Sequence, residues 1–299
     1  MHMFALALFA SISRLHIVAI AALGTFTFGW VFTGQHPWLL AAVSALDWFL
    51  VNLLNRVVDI PEDRANGITG ADFAATHRRV ILVGGFALLF SSLLAVHIVA
   101  PRILALRLAY HALGLAYNWP LLAGRRRIKQ LYFWKNTASA MGFVLTVFLY
   151  PLACAGWGLE AERLAPGVNL ITIAVSAAFF VLFELSFEVI YDLRDAPGDT
   201  LAGIATYPVV HGVRGAVRII DGLLAASVGC LVFGYARHLI PWRVFIMFTA
   251  PLLQFVLYKR ALRRGITSRD CIGLTWLGVA LLTTYHLWIA AGLPGVGLE

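Results

Sequence analysis

Long apolar runs separated by short charged segments make up most of the chain. The runs cover 15 to 33, 38 to 55, 80 to 100, 103 to 120, 137 to 156, 169 to 190, 216 to 235, 242 to 258 and 272 to 292. A bilayer hydrocarbon core about 30 Å thick takes roughly 20 mainly apolar residues per helix. The pattern therefore predicts an all-α polytopic membrane protein with nine transmembrane helices. The third and fourth runs merge around Pro101 and Arg102, and the eighth is short. Met1 to Ser13 is apolar, but it has no cationic start and the apolar run resumes after Arg14, so it reads as an interfacial lead-in rather than a signal sequence.

Composition agrees with immersion in lipid: 61% of the 299 residues are hydrophobic and 13% charged, with a mean hydropathy of +0.83. No segment is long enough for a separate soluble domain, so 1–299 is expected to be one transmembrane domain. A net charge of +8 raises the question of nucleic acid. The basic residues fall in short clusters between apolar runs, however, which speaks for membrane topology and against a nucleic-acid partner. Most of the 23 Lys and Arg residues lie at the N-terminus or after the second, fourth, sixth and eighth runs. The positive-inside rule then places the N-terminus and those loops in the cytoplasm, which means the inner or plasma membrane if the source is bacterial. Cys154, Cys230 and Cys271 stand singly in apolar surroundings and read as inert thiols.

The chemistry is concentrated where two runs end. The second leads into Asn55, Arg56, Asp59 and Asp63, and the sixth into Glu188, Tyr191, Asp192, Arg194, Asp195 and Asp199. At 100° per residue, Asn55, Asp59 and Asp63 span about 80° of a helix face, and Glu188, Asp192, Asp195 and Asp199 about 60°. Each set stacks oxygens on one stripe, and Pro61 and Pro197 are expected to kink or stop their helices. The two ends share a pattern, Asp59, Pro61, Asp63, Gly67 and Ile68 against Asp195, Pro197, Asp199, Gly203 and Ile204. This suggests a parallel internal repeat relating the second and sixth helices, with two acidic clusters facing each other across a central cavity.

A solvated rim paired with Arg56, Arg64 and Arg194 is the plain alternative. Stacked like charges repel unless a cation neutralises them, and acids at membrane depth mark function by default. Oxygen ligands without His or Cys select a hard ion such as Mg²⁺, which completes its shell with phosphate oxygens. A diphosphate held between two metal-binding clusters follows. Asp47 and Glu184 fall near the motif stripes and could line the cavity. Asp221 stands one turn from Arg218 as an expected ion pair, and His97, His111 and His286 read as core polar residues.

These residues resemble the UbiA-type intramembrane prenyltransferases. The two aspartate motifs carry the likeness, together with the run from Leu113 to Pro120, the basic segment Arg125 to Lys129, and Gly203 to Pro208. The resemblance implies Mg²⁺ held by Asn55, Asp59, Asp63, Asp195 and Asp199, gripping a prenyl diphosphate. Asp192 would serve with those carboxylates in catalysis, and Tyr117 and Tyr191 would shield the allylic cation. Candidate diphosphate contacts are Asn55, Arg56, Arg64, Arg194 and Lys129, the last in a segment that also reads as a positive-inside signal. The implied acceptor is lipophilic or aromatic. Phosphoribosyl transfer to a polyprenyl phosphate is the alternative within the family, and an ion or proton transporter the alternative outside it. Many members carry Asp where this chain has Arg56, which leaves the number of metal ions open.

Overall fold

The computed structural model describes residues 8–65 and 67–298. Of the expected lead-in, residues 1–7 lie outside them, and 8–12 are helical. The main helices are α1 (Leu15–Thr33), α2 (Trp38–Val58), α3 (Arg78–Val99), α4 (Leu104–Asn118), α5 (Trp134–Cys154), α6 (Leu170–Leu201), α7 (Tyr207–Ala236), α8 (Trp242–Leu262) and α9 (Ser268–Ala290). Among the described residues there is no β-strand, and the fold is an all-α polytopic membrane bundle. Its lipid-facing surface is apolar, with Val80, Val83, Phe90, Ile98 and Leu287 all more than half exposed. Only a bilayer offers such a face a matching solvent.

The count differs from nine. Among the described residues eight helices are long and apolar enough to span, whereas α4 has 15 residues. Pro101 ends the preceding helix and opens a short 3₁₀ turn over Pro101–Ile103, which takes the residues that would have lengthened α4. Arg107 and His111 further lower its apolar content.

Two helices run past their expected ends. α6 extends to Leu201 and passes through Pro197 rather than stopping. At 1.5 Å per residue its 32 residues reach about 48 Å. It therefore outruns the hydrocarbon core and carries its Asp stripe beyond it. α7 begins at Tyr207, but Gly212 breaks it with φ 68° and ψ 170°, a conformation open to glycine. The apolar segment expected from 216 is the part after this break. α2 stops at Val58, and after Asp59 a new short helix, Ile60–Ala65, carries Pro61 in its first turn, where no helical partner is lost.

The core is aromatic. Phe28 of α1, Phe148 of α5 and Phe180 of α6 meet with centroids 4.4 to 5.6 Å apart. α5 reaches this cluster through a π-helical turn, Val144–Leu149, just before Pro151. Because helices alternate direction, the ends of α2 and α6 and the starts of α7 and α9 share one end of the bundle. The start of α8 and the end of α9 lie at the other.

Candidate active site

A cavity of about 1060 Å³ runs between these two ends. At the motif end it is lined by Asn55, Arg56, Asp59, Asp63, Lys129, Lys135, Asp192, Arg194, Asp195 and Asp199. Phe28, Phe143, Phe179, Phe180 and Phe183 line its depth, and Trp242, Trp288 and Val296 its far end. The cavity is thus densely charged at one end and mainly apolar over the rest.

Both aspartate motifs face this space: the second lies on one stripe of α6, whereas the first spans the break at Asp59, with Asn55 on α2 and Asp63 on the short helix that follows. Asp59 caps the C-terminus of α2. Its Oδ1 accepts from Lys129 Nζ at 2.6 Å and from Arg127 at 3.1 Å. Glu62 accepts from Arg127 at 2.7 Å and also from Lys129. Burial lifts the Asp59 carboxyl above its usual range, and Lys129 only partly offsets this. Burial also acts to raise the less buried Glu62, but Lys129 and Arg127 outweigh it and hold the group below its usual range. Arg56 donates to Asp63 at 2.7 Å and to the Ser11 carbonyl at 2.8 Å, tying the segment before α1 to the motif.

On α6, Lys135 bridges Asp192 at 2.8 Å and Asp199 at 3.0 Å. Asn136 adds a donor to Asp192 at 2.9 Å. Arg194 pairs with its neighbour Asp195 at 2.6 Å and lies 4.7 Å over the Tyr191 ring. Tyr191 is tied to Thr275 of α9 at 2.9 Å, and Tyr117 lines the same cavity. Every motif aspartate therefore has a cationic partner, as in the plain alternative, yet all of them sit on a cavity wall.

Arg64 is the exception among the expected site residues. It does not line the cavity, and its side chain pairs with Asp72 at 2.9 Å with 56% of its surface exposed. It follows the break at Asp59, where the new helix direction turns it outward. Asp47 does not line the cavity either. It is closed in a buried network with Arg107, His111 and Tyr150. Asp221 pairs with Lys259 of α8 at 2.7 Å and bonds Tyr258, rather than pairing with Arg218. His97 is exposed instead of buried, whereas His111 meets Asp47 and His286 meets Thr27 as core polar groups.

Two cations at the mouth, Arg14 and Lys135, carried no site expectation. Arg14 lines the cavity from a left-handed position at φ 48°. Lys135 follows the basic run closely enough to look like part of it, and its carboxylate partners lie 57 and 64 residues on. Local sequence holds no signal for such a contact. Glu184 lines the cavity as expected.

The donor set suits a hard divalent ion. It is all oxygen, and the buried Asn55 Oδ1 has no hydrogen-bond partner, a vacancy that a cation or its water would fill. Among the described residues no three His, Cys, Asp or Glu form a ready cage. Mg²⁺ typically binds through one or two carboxylates and takes its other ligands from phosphate oxygens and water.

Fold and cavity together define an integral membrane protein with a cation-lined acidic mouth over an apolar chamber. The chain belongs to the UbiA prenyltransferase family, whose sequence profile matches residues 17–272, both motifs included. An uncharacterized protein of Archaeoglobus fulgidus is 24% identical over 235 residues, 76% of this chain and 77% of that one. A UbiA homologue from Archaeoglobus fulgidus bound to DMAPP and Mg²⁺ superposes with a TM-score of 0.68 at 15% identity, covering 95% and 99% of the two chains. A digeranylgeranylglyceryl phosphate synthase structure gives 0.55 at 14% identity over 93% and 94%. These structural likenesses concern the fold.

Proposed function

We propose that the protein transfers a prenyl group from a prenyl diphosphate to a lipophilic, aromatic acceptor within the membrane, with Mg²⁺ at the cavity mouth. The observation that carries this reading is one cavity with a charged end and an apolar depth, which matches a diphosphate on a hydrocarbon tail and little else. Family membership supports it, as does the shared fold of a homologue bound to DMAPP and Mg²⁺.

In this reading Asn55, Asp59, Asp63, Asp195 and Asp199 hold Mg²⁺ between the two motifs, and Asp192 assists them from the α6 stripe. When bound, the ion supplies positive charge to the diphosphate oxygens and so favours their departure. Lys129, Lys135, Arg56 and Arg194 already stand on these carboxylates. A diphosphate would draw their N–H groups onto its own oxygens, with Arg14 as a fifth donor. Arg64 takes no part. Tyr117 and Tyr191 present aromatic faces to the allylic cation, Tyr191 fixed by Thr275, and the phenylalanine wall excludes the water that would quench it.

The mouth is assigned to the cytoplasmic side on the distribution of Lys and Arg, and the matching motifs of α2 and α6 to a parallel internal repeat within a single domain. Turnover of labelled prenyl diphosphates by the purified protein, with product identified by mass spectrometry, tests the reading. Product should form with Mg²⁺ or Mn²⁺ and vanish with EDTA. Full activity in metal-free buffer would sink the mechanism.

A further inference from the structure

Glu184 is an ionisable side chain deep in the cavity wall that the reading above leaves without a task. It belongs to α6, one turn before Glu188 and two before Asp192. By helix rise it stands about 12 Å deeper than Asp192, and Glu188 about 6 Å deeper. Glu188 is held by Ser139 at 2.7 Å. Glu184 lines the cavity among Phe180, Phe183 and Phe187, and among the described residues its carboxyl has neither a hydrogen bond nor an ion pair. A carboxyl left without a partner against phenylalanine is costly, and at membrane depth such a group faces a pathway or a substrate.

Resting on the proposed function, we infer that Glu184, backed by Glu188, is the docking point for the acceptor, and that it selects an uncharged acceptor bearing a hydroxyl group. The position fits. A diphosphate at the Asp and Lys cluster leaves its first carbons level with Glu188 and Glu184, which is where the acceptor has to approach. The chemistry fits as well. A hydroxyl both donates and accepts, so it bonds a carboxyl in either protonation state. A phosphate or carboxylate would meet two acids, with Lys135 held nearer the mouth by Asp192 and Asp199 or by the bound diphosphate. Glu184 is thus a specificity residue for the acceptor and not part of the diphosphate grip.

Equilibrium binding to the detergent-purified full chain tests this with three probes: 2-naphthol, its methyl ether 2-methoxynaphthalene, and the carboxylated 3-hydroxy-2-naphthoate. The wild type should bind 2-naphthol about tenfold more tightly than the ether, the value of one ordinary hydrogen bond, and should disfavour the carboxylated probe. Glu184→Leu should erase the preference for the hydroxyl. Glu184→Gln, which keeps shape and hydrogen bonding, should retain that preference and admit the carboxylated probe more readily. A preference that survives Glu184→Leu, or a wild type that favours the carboxylated probe or ignores the hydroxyl, overturns the inference. Binding of geranyl diphosphate with Mg²⁺, measured on the same samples, separates the two proposals and reports on folding. It should be unchanged in both variants. Its absence in the wild type would sink the diphosphate reading, whereas its presence without a naphthol preference would sink only the role of Glu184.

Discussion

Two networks in this protein set aspartate against basic side chains in the interior and differ in what they face. The network around Asp47 is sealed. Asp47 and Arg107 are fully buried, and Asp47 accepts from Arg107 Nε at 2.9 Å, His111 at 2.9 Å and Tyr150 at 2.8 Å. Arg107 also donates to the Ser92 carbonyl at 2.8 Å. The network links α2, α3, α4 and α5, and each of its carboxylate oxygens is satisfied from inside the protein. The motif cluster is paired too, but its pairs line a cavity, and its cations are long side chains that can exchange one anion for another. Burial and charge do not separate structure from chemistry here. Access to the cavity does.

The sharpest way to break this contrast is at Asp47. Asp47→Asn leaves Arg107 charged and unpaired in the interior, a change that costs about 3–5 kcal/mol. Thermal unfolding in detergent should therefore move down strongly, while turnover per folded molecule stays near wild type. Loss of activity without loss of stability would place Asp47 in the chemistry and end the distinction.

The motif aspartates should show the reverse weighting. Changing Asp59, Asp63, Asp195 or Asp199 singly to Asn should lower kcat about 10²- to 10³-fold, the range for one preorganised electrostatic contact. Stability should fall less than in Asp47→Asn, because the cations left behind border a cavity that water can enter. Turnover and thermal shift measured together decide the case. Four stable but inactive variants sustain the contrast, and four unstable but active ones would make the motif a second structural network.

Sequence made the second motif legible because its geometry is local: oxygens four residues apart on a helix share a face whatever surrounds them, whereas the first motif reaches the same cavity across a helix break at Asp59. It could not assign partners across helices. In sequence Lys135 reads as one more topogenic charge, yet α5 places it on Asp192 and Asp199; Asp221 stands one turn from Arg218, yet α8 brings Lys259 to it. Apolar runs located the helices well but their ends poorly. α6 continues as a helix beyond the hydrocarbon, where hydropathy carries no information, and α4 was credited with a length that the turn at Pro101 removes.

The mildest test lies within the first motif, between two arginines that the sequence treats alike. Arg56 is 6% exposed at its side chain and holds Asp63 at 2.7 Å on the cavity wall. Arg64 is 56% exposed and meets an Asp72 that is itself 88% exposed. An open pair of that kind contributes at most about 1 kcal/mol and is screened by salt. Arg64→Gln should therefore leave turnover and the KM for prenyl diphosphate within about twofold of wild type, given the typical size of a surface pair. Arg56→Gln should raise that KM and also loosen the segment at Ser11, since Arg56 donates to the Ser11 carbonyl. Proteolysis near residue 11 would read the second effect independently of catalysis. Equal kinetic losses in the two variants would mean that Arg64 reaches the diphosphate after all, and that the mouth closes around its substrate by more than a side chain's swing.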